Sequence, residues 1–463
     1  MSLFEDIPVD VGIIYEGERI RWQDAHTELG GPRVEHKFEL VKVRRLEEVN
    51  DGKITVIGPD IKDLKDKSYP FGILIEVAGK ELEEELEGVI ERRIHEYCNY
   101  IEGVMHLNQR YDIWLRISKK SFNKGLNSFV YIGKVIQRLF KSELPIIQKI
   151  QITFITDPEK VKEKYAKAIE TYERRDERAR VLKDEDVDSF YGCTLCQSFA
   201  PTHVCIITPQ RYSNCGAISW FDGRAAARVD PKGPLFRIDK GEQIDPQKGE
   251  YSGVNESVKT KSGGEIKRVW LYTAFGYPHT SCGCFEAVAF YIPEVDGFGI
   301  VNRGFQGTTP IGLSFSSLAD STAGGRQIDG FHGISIEYMR SPKFLQVDGG
   351  WARVVWLPEA VKERVKDFIP KELLDKIPTE KQASNIDELK VFLEERGHAL
   401  VERWKTASAE VKIEKTERAE KEAVAPLTVS VPMNVSEHGT GGFKLVLKNV
   451  KIHAEKVKIK RKE

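Results

Sequence analysis

The chain has 463 residues, of which 40% are hydrophobic and 30% charged, so it can form roughly two or three domains with separate cores. Its 70 basic and 71 acidic residues nearly cancel. With no strong global field, we expect neither a nucleic-acid partner nor a membrane-surface partner. The first ten residues lack the basic and apolar segments of a signal peptide. No apolar stretch approaches the ~20 residues of a membrane helix. These features predict a cytoplasmic protein.

The chain to about residue 185 alternates short apolar strands with helices. Residues 71–77 are mainly apolar and predict a strand. Apolar residues recur at helical spacing over 81–104 and predict an amphipathic helix. Cys98 lies beside the apolar stripe of that helix, so we interpret it as a buried structural thiol. Residues 158–184 are dense in charge and predict an exposed helix that leads out of this first domain.

From residue 186 glycine becomes frequent, and loops separate short strands such as the buried one predicted at 285–292. Loops positioned by a scaffold are where functional sites usually lie. Two helices are predicted at the end of this segment. Pro358 is expected at the first position of one helix, and Asn385 together with Glu388 is expected to cap the other.

The pattern of strands and helices predicts an α+β, or mixed α/β, fold class. We expect two mixed sheet-and-helix domains plus a short C-terminal tail. The first domain covers residues 1–185 and is the candidate coenzyme-binding part, whereas residues 186–404 form the candidate metal domain. Residues 405–425 are rich in Ala, Glu and Lys and predict a charged linker. Residues 426–463 predict a lysine-rich tail with one short strand pair, and this tail is a candidate docking element.

Six of the seven cysteines lie between positions 193 and 284. Four of them form a C-x2-C pair followed by two more within about twenty residues. They are Cys193, Cys196, Cys205 and Cys215. This spacing is typical of a four-thiolate clip that holds a [4Fe–4S] cluster or a structural zinc ion. In a reducing compartment, such thiols indicate metal binding or catalysis rather than disulfides.

Cys282, Gly283 and Cys284 form the second motif. Two thiolates separated by one glycine do not easily serve as two ligands of a tetrahedral site. Their sulfurs can instead share a plane with the backbone nitrogens of Gly283 and Cys284. If both amides lose their protons, the tripeptide becomes a planar S-N-N-S chelate, which suits Ni(II) or Cu(II) better than Zn(II). Glycine at the centre lets the backbone approach a ligand closely.

The complete spacing, C-x2-C-x8-C-x9-C followed by C-G-C after 66 further residues, resembles the metal-binding domain of acetyl-CoA synthase. The flanking residues 191–201 and 278–286 agree with this family. Its archaeal members are the beta subunit of the acetyl-CoA decarbonylase/synthase (carbon monoxide dehydrogenase) complex. The resemblance covers residues 1 to about 404.

The resemblance implies a [4Fe–4S] cluster and two nickel ions. The four-cysteine clip would hold the cluster, and Cys196 would also bridge it to a proximal nickel. The Cys-Gly-Cys motif would bind the distal nickel, and its two sulfurs would bridge to the proximal one, which keeps an open position for substrate. The implied metal ligands are Cys193, Cys196, Cys205, Cys215, Cys282, Gly283 and Cys284.

The resemblance also implies which residues take part in catalysis. They are Cys196, Cys282, Cys284 and Phe199. Phe199 would form an apolar wall beside the proximal nickel; alternatively, it packs beneath the cluster. His203 and His279 flank ligands and either orient them through hydrogen bonds or are hydrogen-bonded bystanders.

The implied reaction is the reversible synthesis or cleavage of acetyl-CoA from CO, coenzyme A and a methyl group on a corrinoid iron–sulfur protein. Carbon monoxide dehydrogenase subunits are the other implied partners, and we hypothesise that the C-terminal tail recruits them. Because coenzyme A carries several phosphate charges, a basic patch is expected. The candidate residues are Arg110, Arg116, Lys119, Lys120 and Lys124. A basic surface loop without a ligand is the alternative.

Two other functions use the same cysteines. A non-catalytic iron–sulfur electron carrier needs only the four-cysteine clip, with Cys282 and Cys284 as spare thiols. A zinc-clip interaction protein would bind zinc with those four residues. Neither function explains the Cys-Gly-Cys motif, which the acetyl-CoA synthase hypothesis does explain.

Overall fold

A computed structural model describes residues 3–65 and 68–404 of the chain. The described residues form one compact unit. Within the described ranges, no helix is both long and apolar enough to cross a membrane. The predicted linker at 405–425 and the predicted tail at 426–463 lie outside the described residues.

Short strands and helices alternate along the chain. The strands are β1 (Ala25–Gly30), β2 (Lys37–Val43), β3 (Ile54–Ile57), β4 (Ser68–Tyr69), β5 (Phe71–Ala78), β6 (Val104–Gln109), β7 (Asp112–Ser118), β8 (Lys149–Ile155), β9 (Ser189–Cys193), β10 (Cys205–Ile207), β11 (Leu235–Asp239), β12 (Gln243–Asp245), β13 (Glu250–Tyr251), β14 (Ala287–Ile292), β15 (Gly297–Asn302), β16 (Phe331–Ile334) and β17 (Val354–Trp356). The α-helices are α1 (Glu87–Asn99), α2 (Lys119–Asn123), α3 (Phe129–Glu143), α4 (Pro158–Arg180), α5 (Trp220–Val229), α6 (Ser252–Lys261), α7 (Phe315–Thr322), α8 (Ile336–Met339), α9 (Glu359–Val365), α10 (Lys371–Leu374) and α11 (Ile386–Glu395).

Two four-stranded sheets build the N-terminal half, with strand orders β4-β1-β7-β6 and β2-β5-β8-β3. Both are mixed sheets: β5, for example, runs parallel to β2 and antiparallel to β8. Alternate residues of β5, namely Ile73, Ile75 and Val77, are fully buried, as expected for the inner face of a strand. They share one core with β7, α1 and α3.

The C-terminal half contains a three-stranded sheet of order β10-β9-β11 and a four-stranded sheet of order β16-β14-β15-β17. β9 is the central strand of the first sheet and ends at Cys193. β14 is central in the second, and both of its faces are buried. The segment that precedes β14 contains Cys282, Gly283 and Cys284. The two sheets therefore position the two cysteine motifs.

The α+β fold class is confirmed by these mixed sheets and helices. The strand predicted at 71–77 is β5, and the helix predicted at 81–104 is the shorter α1. The helix cap predicted at Asn385 is also present, since its side chain accepts a hydrogen bond from the Glu388 amide. Pro358, however, is the capping residue before α9 rather than its first helical residue. The domain division near residue 185 stays a prediction.

The helix α4 is less exposed than its charge density predicts. One face is buried, and this face includes charged residues. Arg175 donates to both Glu87 and Glu91 of α1, and Asp176 accepts two hydrogen bonds from Arg110. Burial of a charge is tolerated when an opposite charge pairs with it. Charge density alone therefore could not distinguish this buried face from a solvated one.

Candidate metal centre

The four cysteines of the clip come together because a strand pair carries two of them. Cys193 at the end of β9 is directly opposite Cys205 at the start of β10. Directly opposed residues of an antiparallel pair share one face of the sheet. Cys196 lies on the single 3₁₀ turn Leu195–Ser198 that follows β9, and Cys215 lies in the loop after β10. The sequence spacing thus matches a strand, a turn and a returning strand.

The loop that carries Cys215 is fixed by its neighbours. The Asn214 amide donates to Sγ of Cys205 over 3.3 Å, which ties the loop to β10. The next residue after Cys215, Gly216, has a φ of +75°. A Cβ atom at Gly216 would lie 2.4 Å from Oε2 of the buried Glu286. Glycine is therefore required here by both the backbone conformation and the available space.

Five of the six clustered cysteines line one small cavity. Its lining residues are Arg92, Cys193, Leu195, Cys196, His203, Cys205, Ser213, Asn214, Cys215, Ile218 and Cys282. Among the described residues, no group of three or more His, Cys, Asp or Glu side chains has the arrangement of a metal-ion site. The four clip thiols around one cavity are the donor set that a [4Fe–4S] cluster or a structural zinc ion uses.

The Cys-Gly-Cys turn brings its two thiols to Cys196. Gly283 has a φ of +94°, and a Cβ atom there would lie 2.9 Å from Cβ of Ala323. The Cys284 amide lies 3.3 Å from Sγ of Cys282. Cys196 and Cys282 pack in one buried cluster, and Cys284 packs against it. Side chains from two distant motifs therefore meet beside the cavity.

Two polar side chains bind the backbone oxygens of this turn. Arg303 donates from Nη2 to the Gly283 carbonyl over 2.6 Å. Gln109, at the end of β6 and fully buried, donates from Nε2 to the Cys284 and Phe285 carbonyls over 2.7 and 2.8 Å. Arg303 also donates to Oε1 of Gln109 over 3.0 Å. The turn is therefore fixed by hydrogen bonds to its backbone carbonyl oxygens. Sequence reasoning missed both residues because neither lies near a cysteine in the chain.

The protein environment by itself keeps buried thiols of the clip protonated. Burial raises the pKa of Cys193 and Cys205 to about 12. A metal ion reverses this preference because it binds the thiolate directly. Thiolate sulfur is also the donor that iron–sulfur clusters and other soft metal sites use. The donor set and its surroundings thus fit a metal cluster.

Comparisons with known proteins identify the family. The family model described as "CO dehydrogenase/acetyl-CoA synthase complex beta subunit" matches residues 7–161. A second family model, for the C-terminal part of the ACS/CODH beta subunit, matches residues 172–404. The acetyl-CoA decarbonylase/synthase complex subunit beta of Methanothermobacter thermautotrophicus is 54% identical over 99% of this chain and 100% of its own length. The chain belongs to the acetyl-CoA decarbonylase/synthase beta-subunit family.

Two further relatives illustrate the range of similarity. Subunit beta 2 of the complex from Methanocaldococcus jannaschii is 59% identical over 87% of this chain and 85% of its own. A solved structure of the C-terminal domain of an acetyl-coenzyme A synthase alpha subunit is 39% identical, with a TM-score of 0.24. It covers 26% of this chain and 96% of its own length.

In this beta-subunit family member, Phe199 ends the 3₁₀ turn of Cys196, and 41% of its surface is exposed. Its position beside a nickel ion stays a prediction.

His279 is fixed within the fold, since Nε2 accepts from the Ile206 amide and Nδ1 pairs with the Thr280 carbonyl. His203 lines the cavity, and its Nε2 is buried without a hydrogen-bond partner among the described residues.

The predicted basic residues do not form one surface patch. Arg110 is buried, and both carboxylate oxygens of Asp176 bind its Nη1 at 2.6 and 2.7 Å. Arg116 donates to the buried Glu28, and Lys120 and Lys124 both pair with Glu102. Lys119 is exposed and donates to the Gln23 carbonyl. Arg110 is therefore not available at the surface, whereas the three lysines are. Coenzyme A binding by these residues stays a prediction.

Replacing Gln109 by Met should loosen the Cys-Gly-Cys turn and leave the four-cysteine clip intact. The variant keeps the side-chain length but removes the Nε2 group that donates to the Cys284 and Phe285 carbonyls. Leaving these buried carbonyls unpaired should cost about 1–3 kcal/mol. We expect the nickel content of this beta-subunit family member to fall several-fold at unchanged iron content. Metal analysis of anaerobically prepared protein measures both. Equal nickel in the variant and the parent would contradict this role.

Proposed function

We propose that this protein catalyses the reversible synthesis and cleavage of acetyl-CoA from CO, coenzyme A and a methyl group on a corrinoid iron–sulfur protein. The reaction takes place where a [4Fe–4S] cluster and two nickel ions are held. One observation carries this proposal: Cys196 of the clip packs in one buried cluster with Cys282, and Cys284 packs against that cluster. A residue shared by the two motifs is what a bridged assembly of cluster and nickel requires.

Each motif has a separate task in this proposal. The four clip cysteines would hold the cluster. The thiols of Cys282 and Cys284 would hold the distal nickel together with the backbone nitrogens of Gly283 and Cys284. The sulfurs of Cys196, Cys282 and Cys284 would hold the proximal nickel. When bound, this centre would supply soft, thiolate-held nickel for joining a methyl group to CO. Holding both reactants together removes much of the entropic barrier to joining them.

The protein positions this centre. Arg303 and Gln109 bind the carbonyl oxygens of the Cys-Gly-Cys turn, so they do not compete with a metal for its nitrogens and sulfurs. Cys196 and Cys282 are buried, whereas Cys284 is partly exposed. Phe199, which is also exposed, lies on the Cys196 turn. The exposed side of the centre is thus where Cys284 and Phe199 reach the surface, and we infer that reactants enter there.

Partners follow from the family and from the reaction. The relatives are named as subunits of a complex, so we infer that carbon monoxide dehydrogenase subunits and a corrinoid iron–sulfur protein bind this chain. We infer that Lys119, Lys120 and Lys124 contribute to binding the phosphate groups of coenzyme A, with Arg116 beside them. The cytoplasm is the inferred location.

The two alternative functions leave part of this geometry unused. A zinc clip would use the four clip thiols and leave the Cys-Gly-Cys motif without a role. An electron carrier has no need for a glycine turn that places two further thiols beside Cys196. The acetyl-CoA synthase function uses every cysteine of the cluster.

Metal analysis of anaerobically prepared protein tests the proposal. We expect about four iron and about two nickel per chain after reconstitution with both metals, together with acetyl-CoA formation from CO, methyl-corrinoid protein and coenzyme A. Iron without nickel would favour the electron carrier. Zinc as the only bound metal would favour the zinc clip.

A further inference from the structure

Arg211 is buried in the protein without a carboxylate partner. Only 1% of its surface is exposed. Its guanidinium donates to the Ile206 carbonyl and to Oδ1 of Asn214, both over 2.9 Å, and lies 3.0 Å from Nε2 of His332. Its Nε is buried without a hydrogen-bond acceptor among the described residues. Asn214, which accepts one of these hydrogen bonds, lines the cavity of the clip cysteines.

Arg92 is a second buried arginine for which the described residues provide no carboxylate hydrogen-bond partner. It lies on α1, is 2% exposed and lines the cavity between the cysteines. Its Nη2 lies 3.8 Å from Sγ of Cys196, and its Nη1 is buried without a partner in the described part of the chain. The adjacent Arg93 differs, because it pairs with Glu96 and Glu143. Of two consecutive arginines, one therefore faces carboxylates and the other faces thiols.

Other buried arginines of this protein are neutralised by carboxylates. Arg110 pairs with Asp176, and Arg175 pairs with Glu87 and Glu91. A guanidinium does not lose its proton in a protein, so a buried one needs an opposite charge nearby. Arg92 lines the cavity, and Arg211 binds Asn214 of its lining. For both arginines, the available opposite charge is that of the cysteine thiolates and of the metal cluster that they would hold.

We propose that Arg92 and Arg211 are the buried counter-cations of an anionic iron–sulfur cluster in this cavity and raise its reduction potential. The inference rests on the proposed function for the identity of the cluster. Four thiolates make a [4Fe–4S] cluster anionic in both oxidation states, and one-electron reduction adds a further negative charge. A fixed positive charge nearby stabilises the reduced form more than the oxidised form. Neither arginine needs to touch substrate for this effect.

Arg211→Gln and Arg92→Gln test the inference in the full-length, metal-loaded protein. The readout is an anaerobic redox titration with dithionite, followed by visible absorption and by the EPR signal of the reduced cluster. At the midpoint potential of the unmodified protein, we expect the ratio of reduced to oxidised cluster to fall roughly tenfold in each variant. That change corresponds to about 59 mV for a one-electron couple. Arg211→Lys keeps the charge and should restore most of the ratio.

Arg340→Gln is the matched control. Arg340 is also largely buried, but Glu173 and Glu337 neutralise it, so its loss should leave the ratio unchanged. Unchanged ratios of reduced to oxidised cluster in both Arg92→Gln and Arg211→Gln would overturn the inference. If the unmodified protein still contains iron, that result would leave the proposed function standing. Absence of iron from the unmodified protein would refute the proposed function itself. If Arg211→Gln binds no iron, recovery of iron in Arg211→Lys supports the inference, and no recovery overturns it.

Discussion

Cys284→Ser is expected to abolish acetyl-CoA synthesis while the visible absorption of the iron–sulfur cluster is retained. Cys284 is the one clustered cysteine that does not line the cavity of the clip. It supplies a thiol beside Cys196 and a backbone nitrogen in the Cys-Gly-Cys turn. A serine hydroxyl is a poor ligand for a soft metal site, so both proposed nickel positions would lose a donor. We expect at least a hundredfold loss of activity, with nickel content reduced and iron content unchanged.

Cys98→Ser is the matched control for this change. Cys98 is a fully buried thiol in the core around α1, so the substitution carries the same chemical change away from the two motifs. It should cost about 1–3 kcal/mol of stability through an unpaired buried hydroxyl and leave both metals in place. Activity that survives in Cys284→Ser would show that the assigned chelate is wrong.

Gly283→Ala is expected to reduce nickel binding at least tenfold without loss of iron. The residue lies at a φ of +94°, and its new Cβ would lie 2.9 Å from Cβ of Ala323. Left-handed backbone costs a residue with a side chain about 1–2 kcal/mol, and the contact adds to that cost. The turn is expected to respond by rotating its peptide planes, which moves nitrogens and sulfurs out of one plane. Metal analysis and the absorption of planar Ni(II) measure the outcome.

Two variants test the backbone strain and the contact separately. Gly264 has a nearly equal φ of +90°, and no atom of the described residues lies within 4 Å of the position that its Cβ would occupy. Gly264→Ala should therefore bind nickel normally. Adding Ala323→Gly to Gly283→Ala removes the contact but keeps the strain, and should recover part of the nickel. Full nickel binding in Gly283→Ala alone would contradict the planar chelate.

The cysteine motifs were predictable because each is local in sequence. The spacing from Cys193 to Cys215 corresponds to a strand, a turn and a returning strand, and the positive φ of Gly283 agrees with the need for glycine there. The family resemblance is confirmed by the two family models and by the relatives. The assignment of individual metal ligands remains a prediction that the experiments above test.

The supporting residues were not predictable in the same way. Gln109 and Arg303 contact the turn across 175 and 20 positions of the chain, and no spacing rule connects such residues. Arg92 looks like any charged residue of a helix until its neighbours in space are known. Arg110 is buried rather than exposed for the opposite reason: its sequence context indicates a surface loop, whereas its partner Asp176 lies on α4. In each case the role of the residue depends on its partners in the tertiary structure, which the sequence does not show.

The hydrogen bonds of Gln109 have a consequence for how relatives of this protein can exchange parts. All six clustered cysteines lie in the region matched by the C-terminal family model, residues 172–404, whereas Gln109 and Arg92 lie in the region matched by the other model, residues 7–161. A chimaera that joins the halves of two relatives would therefore inherit the two cysteine motifs from one parent and part of their support from the other. We expect it to hold the Cys-Gly-Cys turn in place only where the two halves match at these contacts.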